Sequence, residues 1–300
     1  MWSDRGVKVR IGISLGTAGG PGRFGAAVDH LEATGIDSLW LSEMVYGTLV
    51  EPFVGMAYAL SRTEHLKVGT GVAVLPGRHP VLVAKQVASL AALAPGRVLP
   101  VFGLKPARAD ELALFPVPPG RRAAVFDESL ELLRLLLRQE KVSFAGEFFT
   151  VDGASVGPPP SKPIDIWLGG SAPAGLRRVG RLADGWLASF LTPDEARAGR
   201  EAIQSAAAQA GREVEADHFG ISLAVGTDGI APGIVEAVRR RRPGVDPASL
   251  AAGSWADARR LIEQYVAAGL TKFVVRPASP RGDADSFLEN FVSELLPLQN

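Results

Sequence analysis

Eight short, apolar, strand-like segments alternate with helix-like segments along the 300 residues of this chain. The predicted strands lie at residues 7–15, 37–42, 66–75, 97–103, 164–168, 185–189, 219–225 and 272–275. Several are nearly continuous runs of Val, Ile and Leu, which is expected of strands that are buried on both faces. Eight such units in a chain of this length favour a closed (β/α)8 TIM barrel over an open doubly wound sheet.

No shift in composition divides the chain, so we expect one domain over residues 1–300, with insertions at about 145–162 and 242–254. The first insertion overlaps a hairpin predicted at 142–151 and includes the proline-rich connector 157–160. The second begins where the basic run 239–242 ends a predicted helix. Cations at that position complement the helix dipole and are typical of a solvated helix end.

Composition excludes several classes of function. Lys and Arg number 32 and Asp and Glu also number 32, a balance that argues against a nucleic-acid partner. The absence of cysteine excludes disulfides and thiolate metal sites, and the four histidines show no ligand-like spacing, so we expect no metal. Without an export signal or an apolar run of about 18 residues, we expect a cytoplasmic protein that does not enter a membrane.

A barrel of this kind carries its active site at the carboxyl ends of its strands. The strongest local signal there is Gly169, Gly170 and Ser171, which lie between an apolar strand and a helix. Two glycines allow close backbone approach, and the helix N-terminus offers free N–H groups to a phosphate. A tight turn that needs glycine explains the same residues, and both interpretations stay open.

Glu43 is the only carboxylate at a predicted strand end with apolar neighbours on both sides. In such surroundings it could act as a proton donor or acceptor. Alternatively, it pairs with a nearby Arg or Lys to complete the barrel rim. His79 precedes a predicted helix and is typical of a cap or surface residue.

Four blocks of the sequence resemble the luciferase-like flavin and deazaflavin oxidoreductases, in particular their actinobacterial branch that uses coenzyme F420. The blocks occur in the order of that family and read LEATGIDSLWLSE, LKVGTGVAVLPGRHPVLVAKQVASL, RRAAVFDESLELLRLLL and PIDIWLGGSAPAGLRRVGRLADGWLAS. Together they span most of residues 7–189, whereas the last third of the chain is less distinctive.

The resemblance implies a barrel whose cofactor, coenzyme F420 or alternatively FMN, lies across the strands' carboxyl ends. It implies a non-proline cis peptide at Gly71–Val72 behind the cofactor ring and a phosphate at Gly169, Gly170 and Ser171. It also places Met44 and Gly103 in the cofactor site, with two departures. Met44 stands where many relatives have a histidine, and strand four lacks their Gly-x-Gly-x-Gly ending.

The predicted function is hydride transfer between reduced coenzyme F420 and a small organic substrate, with Glu43 assigned as the proton donor. An FMN-dependent monooxygenase is the first alternative, and a non-catalytic flavin or deazaflavin binder, suggested by the missing histidine, is the second. A phosphosugar isomerase or aldolase is disfavoured because no strand-end Lys or paired base is found. A basic groove with Lys105, Arg108 and Arg276 would favour the oligoglutamate tail of coenzyme F420. The resemblance further implies a homodimer.

Overall fold

The computed structural model describes residues 8–16, 20–278 and 284–300. Its strands are β1 (Arg10–Ile13), β2 (Ser38–Leu41), β3 (Lys67–Thr70), β4 (Ala73–Val74), β5 (Val98–Leu99), β6 (Val101–Gly103), β7 (Val142–Ala145), β8 (Thr150–Ala154), β9 (Trp167–Gly169), β10 (Gly185–Ser189), β11 (Phe219–Val225), β12 (Ala251–Ala252) and β13 (Lys272–Pro277). Its α-helices are α1 (Pro21–Ala33), α2 (Pro52–Arg62), α3 (Pro80–Leu93), α4 (Arg122–Arg138), α5 (Pro173–Leu182), α6 (Pro193–Gln209), α7 (Pro232–Arg241), α8 (Trp255–Ala267) and α9 (Ala284–Glu294).

The main parallel sheet closes on itself. Its hydrogen-bonded order is β4-β6-β9-β10-β11-β13-β1-β2-β3-β5. The strands β3 and β4 are two parts of one barrel strand, separated by Gly71 and Val72, and β5 and β6 are two parts of the next, separated by Pro100. The chain itself therefore joins the two ends of the order, and the predicted (β/α)8 barrel is confirmed.

The third, fourth and fifth predicted strands differ most from those observed. The third and fourth barrel strands are interrupted, the fourth by Pro100, which has no N–H to donate to a neighbouring strand. The fifth was expected at 164–168 but begins at Trp167. There the N–H of Ile166 donates to a carboxylate oxygen of Asp184 at 3.0 Å, so it does not take part in the sheet. Val7, the predicted start of the first strand, lies outside the described residues.

The two segments expected to be insertions differ in character. The first contains β8, which pairs antiparallel with β7, followed by the proline-rich stretch. The second, residues 242–254, contains regular secondary structure. It holds a 3-10 helix (Pro247–Ser249) and β12, which extends the sheet beside the end of β11.

The barrel interior is filled by large side chains from alternate strand positions. Trp40, Val101, Trp167, Leu187 and Val274 form one buried cluster inside the barrel, whereas the larger apolar core lies between strands and helices. Because side chains alternate along a strand, these five residues fix which face of each strand points inward.

An ionic cluster closes the amino-terminal end of the barrel. Asp37 is buried, and its carboxylate contacts Lys67 at 2.9 Å, Lys272 at 3.1 Å and Arg10 at 3.7 Å. Burial raises the pKa of Asp37, but the charges and hydrogen bonds of Lys272 and Lys67 outweigh it and lower that pKa to about 2.

This cluster predicts acid sensitivity. The folded-state pKa of Asp37 lies below its unfolded value, so its stabilisation is complete above about pH 4 and is lost as the pH falls towards 2. We expect the stability advantage of the wild type over Asp37→Asn to shrink by about 1 kcal/mol between pH 7 and pH 3. Urea unfolding at both pH values measures it. Asp194→Asn, at an exposed residue, is the control. An advantage independent of pH would contradict the assignment.

Candidate functional site

The carboxyl end of the barrel gathers most of the residues singled out from the sequence. Each inward-facing core residue is followed two positions later by a residue at the mouth of the barrel. These mouth residues are Ser42 after Trp40, Gly103 after Val101, Gly169 after Trp167, Ser189 after Leu187 and Arg276 after Val274. These five positions thus carry small or hydroxyl side chains and one guanidinium.

The segment between β3 and β4 forms a bulge at this mouth. The Gly71–Val72 peptide bond is cis, as the resemblance implied. The end of β2 holds the bulge in place: the hydroxyl of Ser42 donates to the carbonyl of Gly71 at 3.1 Å, and the N–H of Gly71 donates to Leu41 at 2.7 Å. The bulge is therefore fixed by the second barrel strand.

The side chain of Val72 projects over two glycines. A Cβ added to Gly103 would lie 2.7 Å from Val72 Cγ2, and one added to Gly169 would lie 3.0 Å from Val72 Cγ1. A Cβ at Gly103 would therefore force Val72 to move, and one at Gly169 would be in tight contact with it. The predicted residues Val72, Gly103 and Gly169 thus meet in one place and form a half-buried apolar ledge in the mouth.

Gly170 and Ser171 form an exposed turn beside this ledge. Gly170 has a φ of +103°, and its carbonyl accepts a hydrogen bond from Trp186 Nε1 at 2.7 Å. The helix α5 follows with Ala172 at its N-cap, no side-chain cap and no acidic residue in its first turn. Its first N–H groups are therefore available to an anion, the first of the two interpretations drawn from the sequence.

Glu43 lies beneath the bulge and is held by several contacts. Its side chain is 2% exposed and forms a bidentate ion pair with Arg78, with N–O distances of 2.5 and 2.9 Å. It also accepts the N–H of Val74 at 2.7 Å, and Arg78 donates to the carbonyl of Val74 at 2.6 Å. The pair therefore ties β2 to β4, an arrangement that favours the rim-pairing interpretation of Glu43.

Met44 follows Glu43 and is half-buried at the start of the loop after β2. The residue that holds this loop was not among those singled out from the sequence. Glu111, in a 3-10 helix after β6, is fully buried and accepts the N–H of Tyr46 at 2.8 Å. It joins the loops that follow the second and fourth barrel strands. No motif marked Glu111, since its role depends on a contact 65 positions away in sequence.

The basic residues proposed for a groove differ in their surroundings. Lys105 is exposed, whereas Arg108 pairs with Asp110 at 2.6 Å. Arg276 is partly buried at the mouth. The basic run at the end of α7 is only in part a solvated face, because Arg241 lies over the ring of Phe190 and Arg242 donates to the carbonyl of the same residue.

A cavity of about 160 Å³ lies at the opposite end of the barrel, lined by Lys8, Lys162, Trp167 and His218 among others. It is far from the strand carboxyl ends and shares no residue with the ledge. His79, as expected, caps a helix: its Nδ1 accepts the N–H of Val81. Within residues 8–16, 20–278 and 284–300, no helix has the length and apolar character needed to cross a bilayer.

Comparison with known proteins identifies a family. The model of the luciferase-like monooxygenase family matches residues 7–230. An uncharacterized protein of Mycobacterium tuberculosis is 40% identical over 146 residues, which cover 49% of this chain and 50% of that protein. The chain thus matches about half the length of such curated relatives. An F420-dependent glucose-6-phosphate dehydrogenase of Beutenbergia cavernae is 27% identical, with 89% of this chain and 90% of that protein covered.

Solved structures share the fold. An F420-dependent secondary alcohol dehydrogenase in complex with an F420-acetone adduct superimposes with a TM-score of 0.81 at 19% identity, covering 98% of this chain and 100% of that one. The FMN-bound oxygenating constituent of 3,6-diketocamphane monooxygenase from Pseudomonas putida gives 0.74 at 17% identity, with 98% and 99% covered.

Proposed function

Since the chain belongs to the luciferase-like monooxygenase family, we propose that it is an oxidoreductase that transfers a hydride between coenzyme F420 and a small organic substrate. The observation that carries this proposal is the ledge of Val72 over Gly103 and Gly169. It presents an apolar surface at the barrel mouth, where a flat ring would lie. The Beutenbergia enzyme, which matches along most of its length and is named F420-dependent, supports the choice of cofactor.

The residues present fit such a cofactor. Val72 would contact the ring, and Gly170, Ser171 and the uncapped start of α5 would hold its phosphate. A Cβ added to Gly170 would meet no atom within 4 Å, so the turn leaves open space above the helix N-terminus. When bound there, the deazaflavin ring supplies the hydride-carrying carbon, and the protein orients it and shields it from water.

For Glu43 we propose a positioning role in place of proton donation. Both of its oxygens are engaged by Arg78 and one also by the Val74 N–H, so its contacts hold the bulge in place. We expect turnover by Glu43→Gln to keep the wild-type pH profile. Loss of one limb of that profile would restore Glu43 as the acid or base.

A fluorescence titration of the purified protein tests the cofactor. We expect oxidised coenzyme F420 to bind at micromolar concentration and FMN to bind at least about tenfold more weakly, a difference of about 1.4 kcal/mol. The F420 chromophore without phosphate and tail is the matched probe for the α5 turn and is expected to bind more weakly than F420. Binding of neither cofactor would overturn the proposal.

Two alternatives have support of their own. An FMN-dependent monooxygenase is favoured by the FMN-bound structure of the same fold, and tighter binding of FMN than of F420 would select it. A non-catalytic binder is favoured by Met44 at the position where many relatives have histidine. Tight binding with no turnover over a broad substrate panel would select that alternative.

We also propose a homodimer in solution. The helices α2 and α3 pack side by side and expose Val54, Tyr58 and Leu82 to solvent. Exposed apolar side chains on neighbouring helices are typical of a subunit interface. Sedimentation equilibrium measures the mass, and a mass of one chain at micromolar concentration would exclude the dimer.

A further inference from the structure

Arg276 is a charged side chain at the barrel mouth that the proposed function leaves without a task. It ends the inner face of β13, two positions beyond Val274, which packs inside the barrel. Its side chain therefore rises from the barrel interior into the mouth. Among the described residues, Arg276 has no hydrogen-bond or ion-pair partner.

Several other half-buried guanidiniums have an anionic partner, whereas Arg200 only lies over the ring of Phe219. Arg78, Arg134 and Arg212 are each engaged by a carboxylate. Arg242, whose side chain is 24% exposed, contacts Glu195. A partly buried cation without a counter-ion loses hydration without compensation, which native structures avoid unless a ligand supplies the anion.

A second cationic side chain and a hydroxyl group lie near Arg276. Burial, and then the nearby charge of Arg241, lower the pKa of Arg276. Arg241 is itself held against the ring of Phe190 at 4.7 Å. Ile13 of the neighbouring strand β1 pairs with Val275, so Ser14 lies beside Arg276. The Ser14 side chain is 5% exposed and makes no hydrogen bond within the described part of the chain.

We propose that Arg276, supported by Arg241 and Ser14, forms an anion subsite in the barrel mouth that binds a carboxylate or phosphate group. This inference rests on the proposed function, in which the ring lies at the third barrel strand and the cofactor phosphate at the fifth. Arg276 lies on the eighth strand, three strands away from each of these. The anion it binds is therefore a third group: an acidic group of the substrate, or the oligoglutamate tail of coenzyme F420.

The test compares the wild type with Arg276→Gln and with Arg239→Gln, a control that removes an exposed arginine of α7. The probes are coenzyme F420 with its tail, F420 without glutamates, inorganic phosphate and succinate. We expect Arg276→Gln to weaken binding of an anionic probe about tenfold or more, the effect of losing a charge-assisted hydrogen bond, and Arg239→Gln to leave it unchanged.

The source of the anion follows from which probe responds. If the tail is bound, the wild type prefers F420 with its tail and Arg276→Gln abolishes that preference. If Arg276 binds the substrate, the wild type and Arg276→Gln bind the two forms of F420 with equal affinity. Phosphate or succinate then binds the F420-loaded wild type more tightly than it binds F420-loaded Arg276→Gln. Equal binding of every probe by the two proteins would overturn the subsite.

The anion subsite can be tested even if the proposed cofactor assignment is wrong. If neither form of F420 binds, calorimetric titrations of the protein alone with phosphate and succinate still decide on the subsite. Should Arg276→Gln not fold, Arg276→Lys retains the charge but not the planar fork of the guanidinium. We then expect an intermediate loss of affinity from Arg276→Lys, and wild-type affinity would count against the subsite.

Discussion

Replacement of Arg78 by methionine is expected to lower the free energy of unfolding by about 3–5 kcal/mol. The substitution leaves the Glu43 carboxylate, 2% exposed, without its cationic partner. It also removes the hydrogen bond from Arg78 to the carbonyl of Val74 and the contact of the guanidinium with the ring of Phe115 at 5.1 Å. Urea unfolding at pH 7, followed by circular dichroism, measures the loss.

Two variants show whether that loss of stability comes from the unpaired charge of Glu43. Glu43→Gln combined with Arg78→Met removes both charges, so we expect the double variant to be more stable than Arg78→Met alone. Arg62→Met breaks the pair of Arg62 with Asp29, in which both side chains are more than a third exposed, and is expected to cost less than about 1 kcal/mol. If Arg78→Met is as mild as Arg62→Met, the Glu43 pair does not hold the bulge.

The order of strands and helices could be predicted because it depends on local patterns. The helices α2 and α7, for example, both begin with a proline in the first turn, a local signal that is visible in the sequence. The interruption of the fourth barrel strand could not be predicted from apolar composition alone. Pro100 sits in an apolar run, and only the closed sheet shows that its missing N–H splits the strand.

The candidate site was predictable where a rule or a resemblance pointed to strand ends. Val72, Gly103 and Gly169 lie on three barrel strands, and the barrel rule brings their ends together. The contacts between them depend on register and are not visible in the sequence. The same applies to the contacts of Arg78, which lies within one of the four sequence blocks, and to those of Glu111, which lies in no motif.

The ledge gives the most direct test of the cofactor site. Gly103→Ala places a methyl group 2.7 Å from Val72 Cγ2, so the valine, on which the ring is proposed to lie, has to move. Overpacking of this kind costs about 1–3 kcal/mol. If that cost falls on the bound state, we expect the affinity for coenzyme F420 to drop by up to about 100-fold. Fluorescence titration measures the affinity, and thermal unfolding confirms that the variant is folded.

A second substitution separates a steric effect from a general disturbance of the mouth. Val72→Ala removes Cγ2, the methyl group that the added Cβ would meet, so the double variant Gly103→Ala/Val72→Ala is expected to recover part of the lost affinity. Gly233→Ala, where an added Cβ meets no atom within 4 Å, is the matched control and is expected to bind F420 as the wild type does. Full affinity in Gly103→Ala would place the ring elsewhere. Affinity lost in Gly103→Ala and regained in the double variant would place it against Val72, because only contact with that side chain links the two substitutions.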